Sequence, residues 1–207
     1  DAGYYVDSIQ ATSQTACSIG NYQPDTGQSS CLDADAGYYV DSTQATSQTI
    51  APYNSYTDSN SSISPTLCPE FYITLSEGST SIDDCLLDSD SDGIIDAEDD
   101  DDDGDGIDDI IDLCPLGEMG WASFSWNDFD ADGCEDETED PDDDNDSVLD
   151  IIDLCPLGEM GWASFSWNDF DADGCEDETE DPDDDNDSVL DIEDAFPFDA
   201  SESIDTD

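Results

Sequence analysis

The 207-residue chain contains no lysine, no arginine and no histidine, so its 60 Asp and Glu residues leave a formal charge of -60 that nothing in the sequence offsets. A polyanion without a basic patch is repelled by phosphate backbones and anionic lipid headgroups, so no nucleic-acid partner and no membrane insertion are expected. Long apolar runs are also missing: none approaches the roughly 18 residues that span a bilayer. The opening Asp1-Ala2-Gly3-Tyr4 is not a signal peptide, and the chain reads as mature or as a fragment. The missing residue types include the commonest general base, the Schiff-base amine and the fixed cation that stabilises oxyanions. What survives is carboxylate or metal chemistry. With 35% hydrophobic residues, the chain cannot fill one large core, and small stapled modules are expected.

The eight cysteines supply the staples. Free thiols in a reducing compartment are the alternative, but the even count, the short regular spacings and the lack of a histidine co-ligand favour disulfides and a secreted protein. Cys17 and Cys31 are 14 apart, Cys68 and Cys85 are 17 apart, and Cys114/Cys134 and Cys155/Cys175 are each 20 apart. Sequential pairing is the simplest connectivity, and each closure of this size is worth roughly 3 kcal/mol in the chain-entropy picture.

Acid content divides the chain near Cys85, with 11 carboxylates before the division and 49 after it. The first part is rich in Ser, Thr, Gln, Gly and Tyr. Its opening run DAGYYVDSIQATSQT returns 34 residues later with only Ile9 changed, to Thr43, while Ala51 stands where Cys17 stood. Short β-prone stretches between Gly, Asp, Asn and Pro predict small hairpins without helices. Residues 1–50 and 67–87 read as cysteine-rich repeats, with 51–66 as a linker or degenerate repeat. In the second part, residues 109–151 are identical to residues 150–192, a period of 41. An array in which each unit packs mainly on its neighbours is the expected form.

Acidic runs are usually solvated tails, but register distinguishes these. Calcium loops place oxygen ligands at positions 1, 3, 5, 9 and 12, a backbone carbonyl at 7, and often glycine at 6. Six segments in residues 88–207 fit. The first has Asp88, Asp90, Asp92, Asp96 and Asp99, and the second Asp101, Asp103, Asp105, Asp109 and Asp112. The third has Asp128, Asp130, Asp132, Asp136 and Glu139, and the fourth Asp142, Asp144, Asp146, Asp150 and Asp153. The duplicated unit adds Asp169, Asp171, Asp173, Asp177 and Glu180, then Asp183, Asp185, Asp187, Asp191 and Asp194.

Ser147 and Ser188 replace glycine at position 6 and make the fourth and sixth loops the weaker candidates. Several loops follow one another too closely for flanking helices, so a calmodulin-like switch is disfavoured. Oxygen-only ligation selects calcium over magnesium or zinc. Six ions would cancel about 12 charges, leaving a large negative surplus and making folding depend on calcium.

Between the cysteines of each acidic unit lie Trp121, Phe124, Trp126 and Phe129, repeated as Trp162, Phe165, Trp167 and Phe170. A small hydrophobic core is the favoured use of these rings, with a sugar-stacking platform or an interface as alternatives.

The DxDxDGxxDxxD series, the Cys-Pro after Asp112-Leu113, the 20-residue cysteine spacing and the ending Asp194-Ala195-Phe196-Pro197-Phe198-Asp199 resemble thrombospondin type 3 repeats. The resemblance implies calcium-filled, elongated modules with little regular secondary structure, found in extracellular adhesive, matrix and microbial surface proteins. Cys134 and Cys175, directly after the loop glycine, and the aromatic insert depart from that pattern. The segments CSIGNYQPDTGQSSC and CPEFYITLSEGSTSIDDC, at residues 17–31 and 68–85, resemble ephrin-receptor-like cysteine-rich repeats, which implies small extracellular β modules strung as a stalk.

The expected fold is therefore small disulfide-rich β modules followed by an irregular, calcium-stabilised and elongated repeat array. The expected function is an extracellular or cell-surface structural protein: a stalk, an adhesin spacer or a filament subunit that self-associates into a fibre or lateral assembly. The alternative is an adhesion module that takes a glycan or a cell-surface receptor on its Trp/Phe inserts. Enzymatic activity is not expected, since no catalytic site stands out among so many carboxylates. Asn60, in Asn60-Ser61-Ser62, is a glycosylation sequon in an exposed segment, whereas the sequons at Asn145 and Asn186 lie inside acidic loops.

Overall fold

A computed structural model describes residues 1–9 and 11–204; the last three residues of the acidic array lie outside it. The chain divides into two compact units, Asp1–Asp102 and Asp103–Asp207.

The first unit is built from five antiparallel hairpins of two-residue strands. They are β1 (Tyr4–Tyr5) with β2 (Thr15–Ala16), β3 (Asn21–Tyr22) with β4 (Leu32–Asp33), β5 (Tyr38–Tyr39) with β6 (Thr49–Ile50), β7 (Ser55–Tyr56) with β8 (Thr66–Leu67), and β9 (Tyr72–Ile73) with β10 (Leu86–Leu87). Each hairpin begins 17 residues after the one before, so the 34-residue sequence period is two structural repeats. Residues 52–68, with little sequence likeness to their neighbours, form the fourth hairpin of the series.

Backbone bonds between hairpins repeat with the same interval. Gly3, Gly20 and Gly37 donate to the carbonyls of Gln23, Val40 and Thr57, and Val6, Gln23, Val40 and Thr57 donate to those of Gln28, Ala45, Ser62 and Ser79. Isolated two-stranded hairpins are marginal in water, and these are completed by the next in line. Gly3, Gly20 and Gly37 have φ of 79°, 80° and 83°. A side chain there would strike the carbonyls of Gln44, Ser61 and Gly78, two hairpins further along. Asn54 and Phe71 occupy the same column and take positive φ as well.

The interior of this unit is narrow. Cys17, Ala34, Ala51 and Cys85 are buried in one 17-residue column, and Gln23, Val40, Thr57 and Thr74 in another. The buried polar members are satisfied: Gln23 Nε2 donates to the Ser30 carbonyl at 2.7 Å, Thr57 Oγ1 to that of Tyr38 at 3.2 Å, and Thr74 Oγ1 accepts the Asn54 N–H at 2.9 Å. Only small or hydrogen-bonded side chains fit.

The second unit has no helix and no strand among its described residues; the one short helix among them, the 3₁₀ segment Ile82–Asp84, lies in the first. The described residues are therefore almost wholly non-helical, with five small sheets and four disulfides among them. The disulfides join Cys17 to Cys31, Cys68 to Cys85, Cys114 to Cys134 and Cys155 to Cys175, and no described cysteine is free.

Candidate metal centre

Burial in the second unit is inverted relative to an ordinary core. Its buried apolar residues, among those described, are Cys134, Val148 and Cys175, whereas ten aspartates are buried there. Ile110, Ile151 and Ile192 lie almost fully in solvent. Apolar burial cannot be what holds this unit together, and buried carboxylates with no cation beside them are costly.

The loop backbone explains how the carboxylates converge. Position 4 of every loop has positive φ: Ser91, Gly104, Ala131, Asn145, Ala172 and Asn186. Position 6 does too, at Gly93, Gly106, Gly133, Ser147, Gly174 and Ser188. Two left-handed residues flanking position 5 curl the chain so that positions 1, 3 and 5 face one point. Ser147 and Ser188 take φ of 79° and 78°, making the turn that glycine makes elsewhere. At position 4, Gly104, Asn145 and Asn186 are residue types that visit this region readily, whereas Ser91, Ala131 and Ala172 are not.

Ligand-sized clusters result. In Asp88/Asp90/Asp92, Asp128/Asp130/Asp132 and Asp142/Asp144/Asp146, one carboxylate oxygen from each member lies within 4.8 Å of the others. In the second loop Asp103, Asp105 and Asp112 are buried. Depth alternates: loops one, three and five bury position 1 (Asp88, Asp128, Asp169), while loops two, four and six bury position 3 (Asp103, Asp144, Asp185).

Asp128 is held by the Ser123 hydroxyl, and Asp169 by that of Ser164. Asp103 and Asp144 accept the backbone N–H groups of Gly117 and Gly158 at 2.8 and 2.7 Å. Position 9 is used differently. Asp96, Asp136, Asp150, Asp177 and Asp191 each accept the N–H of position 2, at Ser89, Phe129, Asp143, Phe170 and Asp184, which pins the loop closed. At position 12, Asp112 and Asp153 each give one oxygen to the N–H two residues on. They also press against Gly133 and Gly174, where a side chain would collide with them.

At its register positions the fourth loop leaves three buried carboxylate oxygens without a partner. Asp146 is fully buried, its Oδ1 accepts the Val148 N–H at 2.6 Å, and its Oδ2 has no hydrogen-bond partner. Asp142 Oδ1 and Asp153 Oδ2 are buried and unpartnered in the same loop. Its duplicate has Asp183 Oδ1, Asp185 Oδ2 and Asp194 Oδ2 in that condition, and Glu139 and Glu180 each bury one such oxygen at position 12. Desolvation, followed by repulsion from neighbouring carboxylates, pushes Asp112, Asp146 and Asp153 up to about 6. It also pushes Asp130 up to about 7 and Asp171 to about 6, against the hydrogen bonds from Asn145 and Asn186. Those two amides donate to Asp130 and Asp132, and to Asp171 and Asp173, so both sequons are engaged within the acidic array. Asn60 is exposed, its Oδ1 accepting the Ala36 N–H at 3.2 Å.

A further cluster escaped the sequence. Asp136, Asp140 and Asp143 bring one oxygen each within 4.8 Å across the join between loops three and four. Desolvation raises Asp140 to about 6 and Asp143 to about 7. Asp140 and Asp143 fall outside the loop register, so spacing alone could not reveal them.

The aromatic inserts form no hydrophobic core. Trp126 and Trp167 are each 76% exposed, stacked on exposed Phe124 and Phe165 at 5.8 and 5.9 Å between ring centres. Asp128 and Asp169, each held by its serine, are fully buried where these rings are not. Trp121 and Trp162 are half-buried.

Comparison with known protein families finds no match to this chain, and comparison with characterised proteins finds no relative.

Proposed function

We propose that this is an extracellular structural protein whose acidic array is cross-linked internally by calcium, serving as a stiff stalk, adhesin spacer or surface-filament subunit. The observation that carries the reading is the set of buried, unpartnered carboxylate oxygens on Asp142, Asp146 and Asp153, in a chain with no Lys, Arg or His to neutralise them. Hard oxygen donors from four carboxylates suit a calcium ion, which tolerates crowded and irregular coordination better than magnesium does. Asp142, Asp144, Asp146 and Asp153 would hold it, with their counterparts in the other loops. A bound ion would convert repulsion into attraction and supply the cohesion that the exposed isoleucines do not.

Four disulfides in a chain of this size favour an oxidising compartment, hence an extracellular or surface location. Two repeat arrays in one chain, hairpins of 17 residues and acidic units of 41, suit a spacer whose length is set by copy number. On this reading the likeness to thrombospondin type 3 repeats reflects shared calcium-dependent architecture, with the first unit as a cysteine-rich stalk module. The excess negative surface provides for lateral or end-to-end assembly bridged by further calcium.

Negative-stain imaging in millimolar calcium and in excess chelator tests the proposal. Rods or filaments that collapse or dissociate on chelation are expected; particles unchanged in shape and length would refute it.

A further inference from the structure

The second acidic unit carries a cleft of about 440 Å³ lined by Trp167, Asn168, Glu176, Asp177, Glu178, Asp184 and Phe198. Its composition is unusual for this molecule, because aromatic rings and carboxylates line the same cleft. Trp167 and Phe198 are exposed, and Phe198 is braced edge-on by Phe170 at 5.6 Å. The acidic side has two parts. Glu178 stands in solvent, whereas Asp184 is 5% exposed and its Oδ1 has no hydrogen-bond partner.

Ring faces are poor partners for a calcium ion, which takes oxygen, but good partners for organic cations, which are attracted to the negative face of the ring. A guanidinium is planar enough to stack on Trp167 while its N–H fork meets a carboxylate. The size of the cleft is at the low end of ligand-sized pockets, suited to one side chain rather than a folded surface.

The occupant cannot come from this chain or from a second copy, since neither contains Arg or Lys. A formal charge of -60 also steers basic molecules towards it from a distance. We infer that the Trp167/Phe198 cleft is a docking site for an arginine side chain presented by a basic partner protein.

The duplication provides an internal control. The first copy has the same residues at Trp126, Asn127, Glu135, Asp136, Glu137 and Asp143, but Leu157 stands where the second has Phe198. It lacks the second ring, so one tight site per chain is expected rather than two.

The test is calorimetric titration of the full chain, in millimolar calcium and physiological salt, with an acetylated, amidated Gly-Arg-Gly peptide and its citrulline counterpart, which keeps the shape and removes the charge. Saturable binding of the arginine peptide at one site per chain is expected, with citrulline binding about tenfold weaker or worse. Trp167→Ala and Phe198→Leu should each weaken arginine binding by about tenfold, and Glu178→Gln by a smaller factor. These three side chains are exposed, so their replacement leaves the fold in place. Equal affinity in Trp167→Ala would show general attraction to a polyanion and overturn the proposal. So would equal binding of the citrulline peptide, or saturation by a neutral oligosaccharide such as maltotetraose with no response to arginine, which would mark a glycan platform.

Discussion

The substitution Asp146→Asn changes one charge and almost no volume, and the sign of its effect depends on whether calcium fills the fourth loop. Asp142, Asp144 and Asp146 bring an oxygen each within 4.8 Å of the others. At that separation and an effective dielectric constant of about 20, each pair of charges repels by roughly 3 kcal/mol. The asparagine side chain would keep an oxygen for the Val148 N–H, and its amide nitrogen would face the neighbouring carboxylates as a donor. Without calcium the variant should therefore be more stable than the parent, by about 1–3 kcal/mol after relaxation of the loop. With calcium it loses a buried anionic ligand, and breaking such a pair costs about 3 kcal/mol, roughly a 100-fold loss of affinity at this loop. Thermal unfolding followed by tryptophan fluorescence, in chelator and in millimolar calcium, reads both effects. The melting temperature should rise in chelator and fall in calcium. A shift of the same sign in both buffers would refute the assignment of Asp146 as a ligand.

Ala131 and Ala172 sit at position 4 with φ near 60°, so Ala131→Gly and Ala172→Gly should each raise stability in calcium by about 0.5–1 kcal/mol, read from the denaturant midpoint. Folded-state pKa values raised from 3.8 to about 6 for Asp140 and Asp153 and about 7 for Asp143 and Asp184 mean that the calcium-free fold binds protons more tightly than the unfolded chain. Their stabilising contribution is full below about pH 4 and is lost as pH rises through 6 to 7. In chelator the melting temperature should thus climb between pH 8 and pH 5, while calcium affinity falls over the same interval because protons compete for the ligands. Ala51 is fully buried against the next hairpin, so Ala51→Leu should cost about 1–3 kcal/mol, measured by denaturant unfolding monitored through the tyrosines of the first unit.

Much of the acidic array was legible because carboxylate spacing is a direct record of loop geometry: residues two apart on a tightly curled chain must face one centre. The clustering of Asp88, Asp90 and Asp92 follows from that alone. Asp140 and Asp143 were hidden because they meet Asp136 through the junction of two loops. The hairpins were legible as a class, from Tyr and Thr between turn formers, but their 17-residue interval was not. What repeats there is conformation and size, positive φ at Gly3, Gly20, Gly37, Asn54 and Phe71, and small buried residues such as Ala34 and Ala51. Residue identity repeats only every second hairpin. The aromatic inserts misled because large rings ordinarily mark the interior, whereas here the buried space is taken by Asp128 and Asp169.

Native mass spectrometry of the full chain, exchanged into a volatile buffer at neutral pH with graded calcium, counts the ions directly. At least six tightly held calcium ions per chain, removed by chelator together with a shift to higher charge states from a loosened and less stable array, is the predicted result. A chain that keeps compact charge states in chelator, or that takes up calcium only as a broad, non-saturating ladder, would contradict the claim that calcium is the core of the acidic array.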